Sequence, residues 1–156
     1  MSGASVLAWL ADHAPDLALI DHSRSTATVA EAAEVLGVEP GRIAKTLAFR
    51  VGETIYLLLA RGDARLGNSE CKAALGGRPR MLGAEETLAV TGHAVGGVCP
   101  FGLASALPIL ADRSLLAYET VFPAAGTQTS SVEVAPRRLA ELVGARWVEV
   151  CRLPGD

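Results

Sequence analysis

Residues 42–60 read RIAKTLAFRVGETIYLLLA: one run of strand character, a Val-Gly-Glu break, and a second, more apolar run. The pattern predicts two strands joined as a hairpin. A period of two sets Ile43, Lys45, Leu47 and Phe49 on one face and Ala44, Thr46 and Ala48 on the other. Lys45 therefore shares the bulky apolar face. An ammonium buried there unpaired would cost several kcal/mol or lose its proton, so it must find an anion, line a cavity or snorkel to an edge. The plainer alternative is a lysine near a strand end whose head reaches water.

Outward from the hairpin the chain alternates short elements. SVLAWLADH spaces Val6, Leu7 and Leu10 as a helix that Pro15 and Asp16 end, and LALI at residues 17–20 reads as a short strand. In TVAEAAEVLG, Thr28 and Glu31 have capping-box spacing and Gly37 supplies the stop. NSECKAALG and GAEETLAV read as further helices. The last third gives strands near SLLAYETVF, SSVEV and RWVEV, with PRRLAELVG between the last two as a helix that has Pro136 in its first turn and Gly144 at its end. Mixed short elements without regular βαβ alternation imply an α+β fold with a curved sheet or small barrel.

The chain has 156 residues, half of them hydrophobic, and shows no compositional break, repeat or long linker, so one domain spanning 1–156 is expected. No basic leader with a cleavage site opens it and no apolar run is long enough to span a bilayer, which predicts a cytoplasmic protein. Cys71, Cys99 and Cys151 lie far apart with no CxxC pair, which suggests neither a disulfide framework nor a zinc site. The net charge of −3 is unevenly spread. Arg42, Lys45, Arg50, Arg61, Arg65, Lys72, Arg78 and Arg80 face only Glu53, Asp63 and Glu70 in their segment, whereas the chain on either side is acidic. Such a basic segment could meet a few phosphates, or be an ordinary solvated surface.

Two polar stretches remain. TGHAVGGVCPFG, residues 91–102, holds Gly92, Gly96, Gly97 and Gly102, with Pro100 restricting Cys99 before it. Its glycines let backbone amides approach a ligand closely, but the spacing fits neither a P-loop nor a dinucleotide fingerprint. A plain connecting loop is the alternative. Cys99 with His93 also suggests a thiolate and its base, against a small buried cysteine that only packs. PAAGTQTSSVEV, residues 123–134, turns at Gly126 and offers uncharged hydroxyls and an amide, either to a substrate or to its own turn. His22 either lies near a site or begins a loop.

In order, IAKTLAF, ARGDARLG, TGHAVGGVCPFG, LPILADRSL and FPAAGTQTSSVEVAPRRLAELVGA resemble the YbaK / prolyl-tRNA synthetase-associated domain family of aminoacyl-tRNA deacylases, over about residues 28–150. The resemblance implies a mixed, β-barrel-like sheet flanked by short helices. It implies a free-standing trans-editing enzyme that hydrolyses the ester of a mischarged tRNA, most often tRNA-Pro carrying cysteine, alanine, serine or a similar small residue. Lys45 would hold the phosphate or ribose of the terminal adenosine, and the amides of Gly96, Gly97 and Val98 would face the ester. His22, Thr46, Gly92, Cys99, Pro100, Gly102, Gly126 and Ser131 would form the substrate pocket. No protein nucleophile is required, because the ester is already activated, and neither a metal nor a cofactor is expected. Prolyl-tRNA synthetase is an expected partner; a membrane and DNA are not. Two positions depart from the subgroup that clears cysteinyl-tRNA-Pro: Ile20 stands where a tyrosine is expected and Ser131 where an aspartate is. A non-catalytic tRNA- or synthetase-binding module and a cysteine hydrolase built on Cys99 remain as competing functions.

Overall fold

The computed structural model describes residues 2–155. The hairpin is its centre: β2 (Ile43–Val51) and β3 (Thr54–Arg61) pair antiparallel from Ala44↔Arg61 to Val51↔Thr54, around a two-residue turn with Gly52 at φ 59°. β6 (Ile109–Asp112) joins parallel to β3, and β9 (Arg146–Val148) joins parallel to β6. On the other side of β2, its two ends are paired by different partners. β7 (Phe122–Pro123) runs parallel to Ile43 and Ala44, and β5 (Arg80–Met81) antiparallel to Phe49 and Arg50. The ladder runs from β5 to β9 without closing into a ring among the described residues.

Both faces of this sheet are covered, which explains the near-continuous apolar character of its central strands. Ala44, Leu59 and Ala111 pack on one side with Val6 and Leu10 of α1 (Ser2–His13), Leu139 of α5 (Pro136–Val143), and Phe101. Phe49, Leu58, Ala60 and Leu110 pack on the other side with Cys71 of α3 (Asn68–Leu75), Val148 and Val150. The remaining helices are α2 (Val29–Leu36) and α4 (Ala84–Thr91). Two further two-residue ladders complete the fold, beside the short β5 and β7 contacts: β1 (Ile20–Asp21) with β8 (Ser130–Ser131), and β4 (Arg65–Leu66) with β10 (Cys151–Arg152). No described helix is long and apolar enough to cross a membrane.

Several boundaries differ from those expected. LALI contributes only Ile20 to a strand. SLLAYETVF is mostly not a strand: the strand lies earlier, at Ile109–Asp112, and a 3-10 helix follows over Arg113–Ala117. The switch is local, since the Asp112 carboxylate accepts the Ser114 amide at 3.1 Å and so starts the 3-10 turn. SSVEV pairs only at Ser130–Ser131, with Val134 bridging Val121, and RWVEV ends its strand at Val148. The α2 cap is half of a capping box. Thr28 Oγ1 accepts the Glu31 amide at 3.1 Å, whereas the Glu31 carboxylate accepts from the hydroxyls of Thr28 and Ser25 instead of from a backbone amide.

Candidate functional site

The glycine-rich loop is built from its helix outward. α4 ends at Gly92, whose φ of 79° closes the helix, and the Thr91 hydroxyl accepts the His93 amide at 3.0 Å. His93 is fully buried. Its Nε2 lies 2.7 Å from the Phe101 carbonyl, which can only accept, so Nε2 carries the proton and donates it there. Nδ1 has no partner among the described residues, and burial pushes the imidazole pKa down against the opposing pull of that carbonyl. Cys99 is equally buried, its sulfur 3.6 Å from Nε2, and burial pushes its thiol up to about 12. A protonated nitrogen facing a protonated thiol is a packed pair, not a nucleophile and its base.

Beyond this buried pair the loop turns outward. The Gly97 amide donates to Ala94 O at 3.0 Å, which commits it to the turn and removes it as a donor to an ester. Gly97 instead serves as a contact: its carbonyl accepts the Gly126 amide at 3.1 Å, and its Cα faces the backbone of the 126–127 turn. Gln128 Nε2 closes the same contact on Val95 O at 3.1 Å. Gly96 and Val98, on either side, make no amide hydrogen bond among the described residues, and both line a cavity.

That cavity, of about 280 Å³, lies along the outer edge of β2 between β7 and β5. Lys45, Thr46, Gly96, Val98 and Ser131 line it, which brings together five of the residues selected from sequence. Gly97, His22, Gly92, Cys99, Pro100, Gly102 and Gly126 lie off its surface. Gly102 packs on the backbone of Ser5 instead. Other parts of the lining went unrecognised in the sequence: Thr26 to Val29 at the start of α2, Met81 of β5 with Leu82 after it, and Phe122 of β7. Only the Thr28 cap gave any signal, and it spoke of a helix rather than of a site.

Lys45 lines the cavity, and its ammonium is held by two backbone carbonyls. It donates to Gly62 O at 3.3 Å and to Ala64 O, and neither residue lines the cavity. Desolvation lowers its pKa, opposed by the nearby Cys151 and Asp63. Two of the three ammonium donors are thus occupied and one is left for a ligand. Across the cavity, Ser131 Oγ shares a 2.7 Å hydrogen bond with His22 Nε2. The β1–β8 ladder holds the two in place, with Ile20 paired to Ser131 and the His22 amide donating to Thr129 O at 2.8 Å. Ile20 and Ser131, the two departures noted in the sequence, are therefore direct cross-strand neighbours. Among the described residues no group of three or more His, Cys, Asp or Glu side chains could hold a metal.

Residues 23–142 match the family described as Aminoacyl-tRNA editing domain. The chain belongs to this family. The uncharacterized protein YwhH of Bacillus subtilis (strain 168) is 45% identical over 130 residues, which cover 82% of this chain and 83% of YwhH. EbsC of Enterococcus faecalis, named as a candidate Cys-tRNA(Pro)/Cys-tRNA(Cys) deacylase, is 27% identical over 76% of this chain and 73% of its own. A proline–tRNA ligase of Desulforamulus reducens is 32% identical over 71% of this chain, which spans only 20% of the ligase. A solved structure described as a candidate trans-editing enzyme for prolyl-tRNA synthetase superimposes with a TM-score of 0.89 at 34% identity, covering 97% of both chains. The editing-domain fold thus accounts for the whole path from α1 to β10, and the cavity on the β2 edge lies inside the matched segment.

Proposed function

We propose that the protein hydrolyses the ester between a small amino acid and the 3′ end of a mischarged tRNA, with tRNA-Pro as the carrier. The observation that carries this reading is one cavity bounded by a lysine with a spare donor, two unengaged backbone amides and a buried hydroxyl. Family membership and the likeness to a structure described as serving prolyl-tRNA synthetase support the choice of substrate.

An aminoacyl ester is already activated, so the protein needs to position it and to stabilise the oxyanion that forms when a water or the adjacent ribose hydroxyl attacks. The amides of Gly96 and Val98 supply donors whose direction is fixed by the turn that Gly97 locks against Gly126. Lys45 offers its remaining N–H to a phosphate or ribose oxygen of the terminal nucleotide. The lining is otherwise largely apolar and carries no carboxylate, with Ile43, Leu47 and Phe122 among its walls, which suits a small uncharged side chain. Discrimination by such walls is coarse, because one methylene is worth about 1–3 kcal/mol, so cysteine, alanine and serine are all candidates. A ligase that charges tRNA-Pro is the natural source of the substrate and a candidate partner.

The test is deacylation of tRNA-Pro charged in turn with cysteine, alanine, serine and proline, using wild type and Lys45→Ala side by side. Turnover of at least one small-residue ester, lost in the variant while the fold persists, is expected. Absence of turnover for every ester would replace this reading by a non-catalytic tRNA-binding module.

A further inference from the structure

The middle of β2 contains an unfilled piece of sheet. The Leu82 amide donates to Ala48 O at 3.1 Å, so the backbone groups of Ala48 point away from β3. In an antiparallel pair these directions alternate residue by residue, and Ala44, Thr46 and Ala48 therefore all point outward. Ala44 meets β7, and Ala48 meets Leu82. Thr46 falls between them, opposite neither β7 nor β5, and its N–H and C=O face the cavity. Its side chain adds a third group: Thr46 Oγ1 is buried without a hydrogen-bond partner. A strand edge whose donor and acceptor face a cavity unpaired is a place that a ligand can complete.

The spacing of these groups describes the ligand. A strand residue offers its edge one donor and one acceptor, and the partner residue answers with an acceptor and a donor separated by a single carbon. The common part of an aminoacyl ester, an amino group, a Cα and a carbonyl, has that arrangement. We infer that the aminoacyl group docks on Thr46 as a one-residue strand, its amino group donating to Thr46 O and its carbonyl accepting from Thr46 N–H. Recognition then rests on the part that all amino acids share, and the side chain is left to the apolar walls. This inference rests on the proposed editing reaction for the identity of the ligand, but the free strand edge is independent of it.

The test uses the amide-linked analogue 3′-alanylamino-3′-deoxyadenosine, which binds without being cleaved, and hydrogen exchange of the Thr46 amide in the full chain. Saturation is expected to slow that exchange at least tenfold, and the desamino analogue 3′-propionylamino-3′-deoxyadenosine is expected to bind about tenfold or more weakly through loss of the bond from the charged amino group to Thr46 O. The analogue failing to bind, or binding with Thr46 exchange unchanged, overturns the inference. Slowed exchange together with an alanyl ester that stays intact on tRNA would instead retain the docking mode and reject the hydrolysis.

Discussion

Replacing Gly97 by alanine tests the loop most directly, because the residue acts through space it leaves empty. A Cβ built there would stand 2.9 Å from three backbone atoms, Gly126 C, Thr127 C and Thr127 N. Carbon atoms rest about 3.5–4.0 Å apart, so the 95–98 loop and the 126–128 turn must separate by roughly 0.6–1 Å. Backbone cannot swing aside as a side chain can. Overpacking of this kind costs about 1–3 kcal/mol, which corresponds to roughly 2–12 °C in Tm for a chain of this size. The separation also moves the amides of Gly96 and Val98, and a displacement near 1 Å can cost about 100-fold in rate. The assay is deacylation of alanyl-tRNA-Pro beside a thermal melt, with Gly144→Ala as control. That control sits at φ 67° with nothing within 4 Å of its Cβ, so it strains the backbone without touching the cavity. Gly97→Ala with wild-type deacylation would refute the claim that this contact sets the amide geometry. So would an equal loss in the control.

Two further outcomes follow from the buried pair behind the loop. Cys99→Ala is expected to keep deacylation within a few-fold and the native Cys99 to resist iodoacetamide, because its thiol is buried and pushed up to about 12; loss of turnover in step with alkylation of Cys99 would restore the nucleophile. His93 is held neutral by burial, so the unfolded chain binds the extra proton as pH falls below the unfolded histidine value of about 6.5. Its stabilising contribution is present above that value and declines as pH falls toward the lower folded value. The urea midpoint of wild type is therefore expected to fall more between pH 7.5 and 5.5 than that of His93→Gln, and parallel curves would contradict the assignment.

The hairpin was legible in the sequence because nine residues of β2 kept one period, and Lys45 stood out on it because an ammonium violates that period's chemistry. The two-residue ladders were not legible. Their pairing is decided by distant segments that meet only in the folded chain, and two residues carry no periodicity. The cavity illustrates the same limit. Part of its wall comes from α2 and from Met81 and Leu82, neither of which announces a site by itself. The loop misled in the opposite direction, since the reactive letters Cys99 and His93 turned inward while Gly96 and Val98, which carry no side-chain chemistry, reached the cavity.

The two departures from the cysteinyl-tRNA subgroup gain meaning from being neighbours. Ile20 and Ser131 face each other across the β1–β8 ladder, and of the two Ser131 lines the cavity while Ile20 stands exposed beside it. An aspartate at 131 would present its charge to the amino group or thiol of a bound substrate. Ser131, engaged with His22, presents none. Recognition of the amino group must then fall to another acceptor, and the outward carbonyl of Thr46 is available on the same cavity. The pair should therefore act together, because cross-strand neighbours couple in a way that distant sites do not. The double exchange Ile20→Tyr with Ser131→Asp is expected to raise the ratio of kcat/KM for cysteinyl over alanyl tRNA-Pro by about tenfold, near 1.4 kcal/mol, within the range that small-residue pockets achieve. Either single exchange should do less than half as much on the free-energy scale. A folded double variant with an unchanged ratio would show that this wall does not select the amino acid, and would leave selection to the apolar side of the cavity.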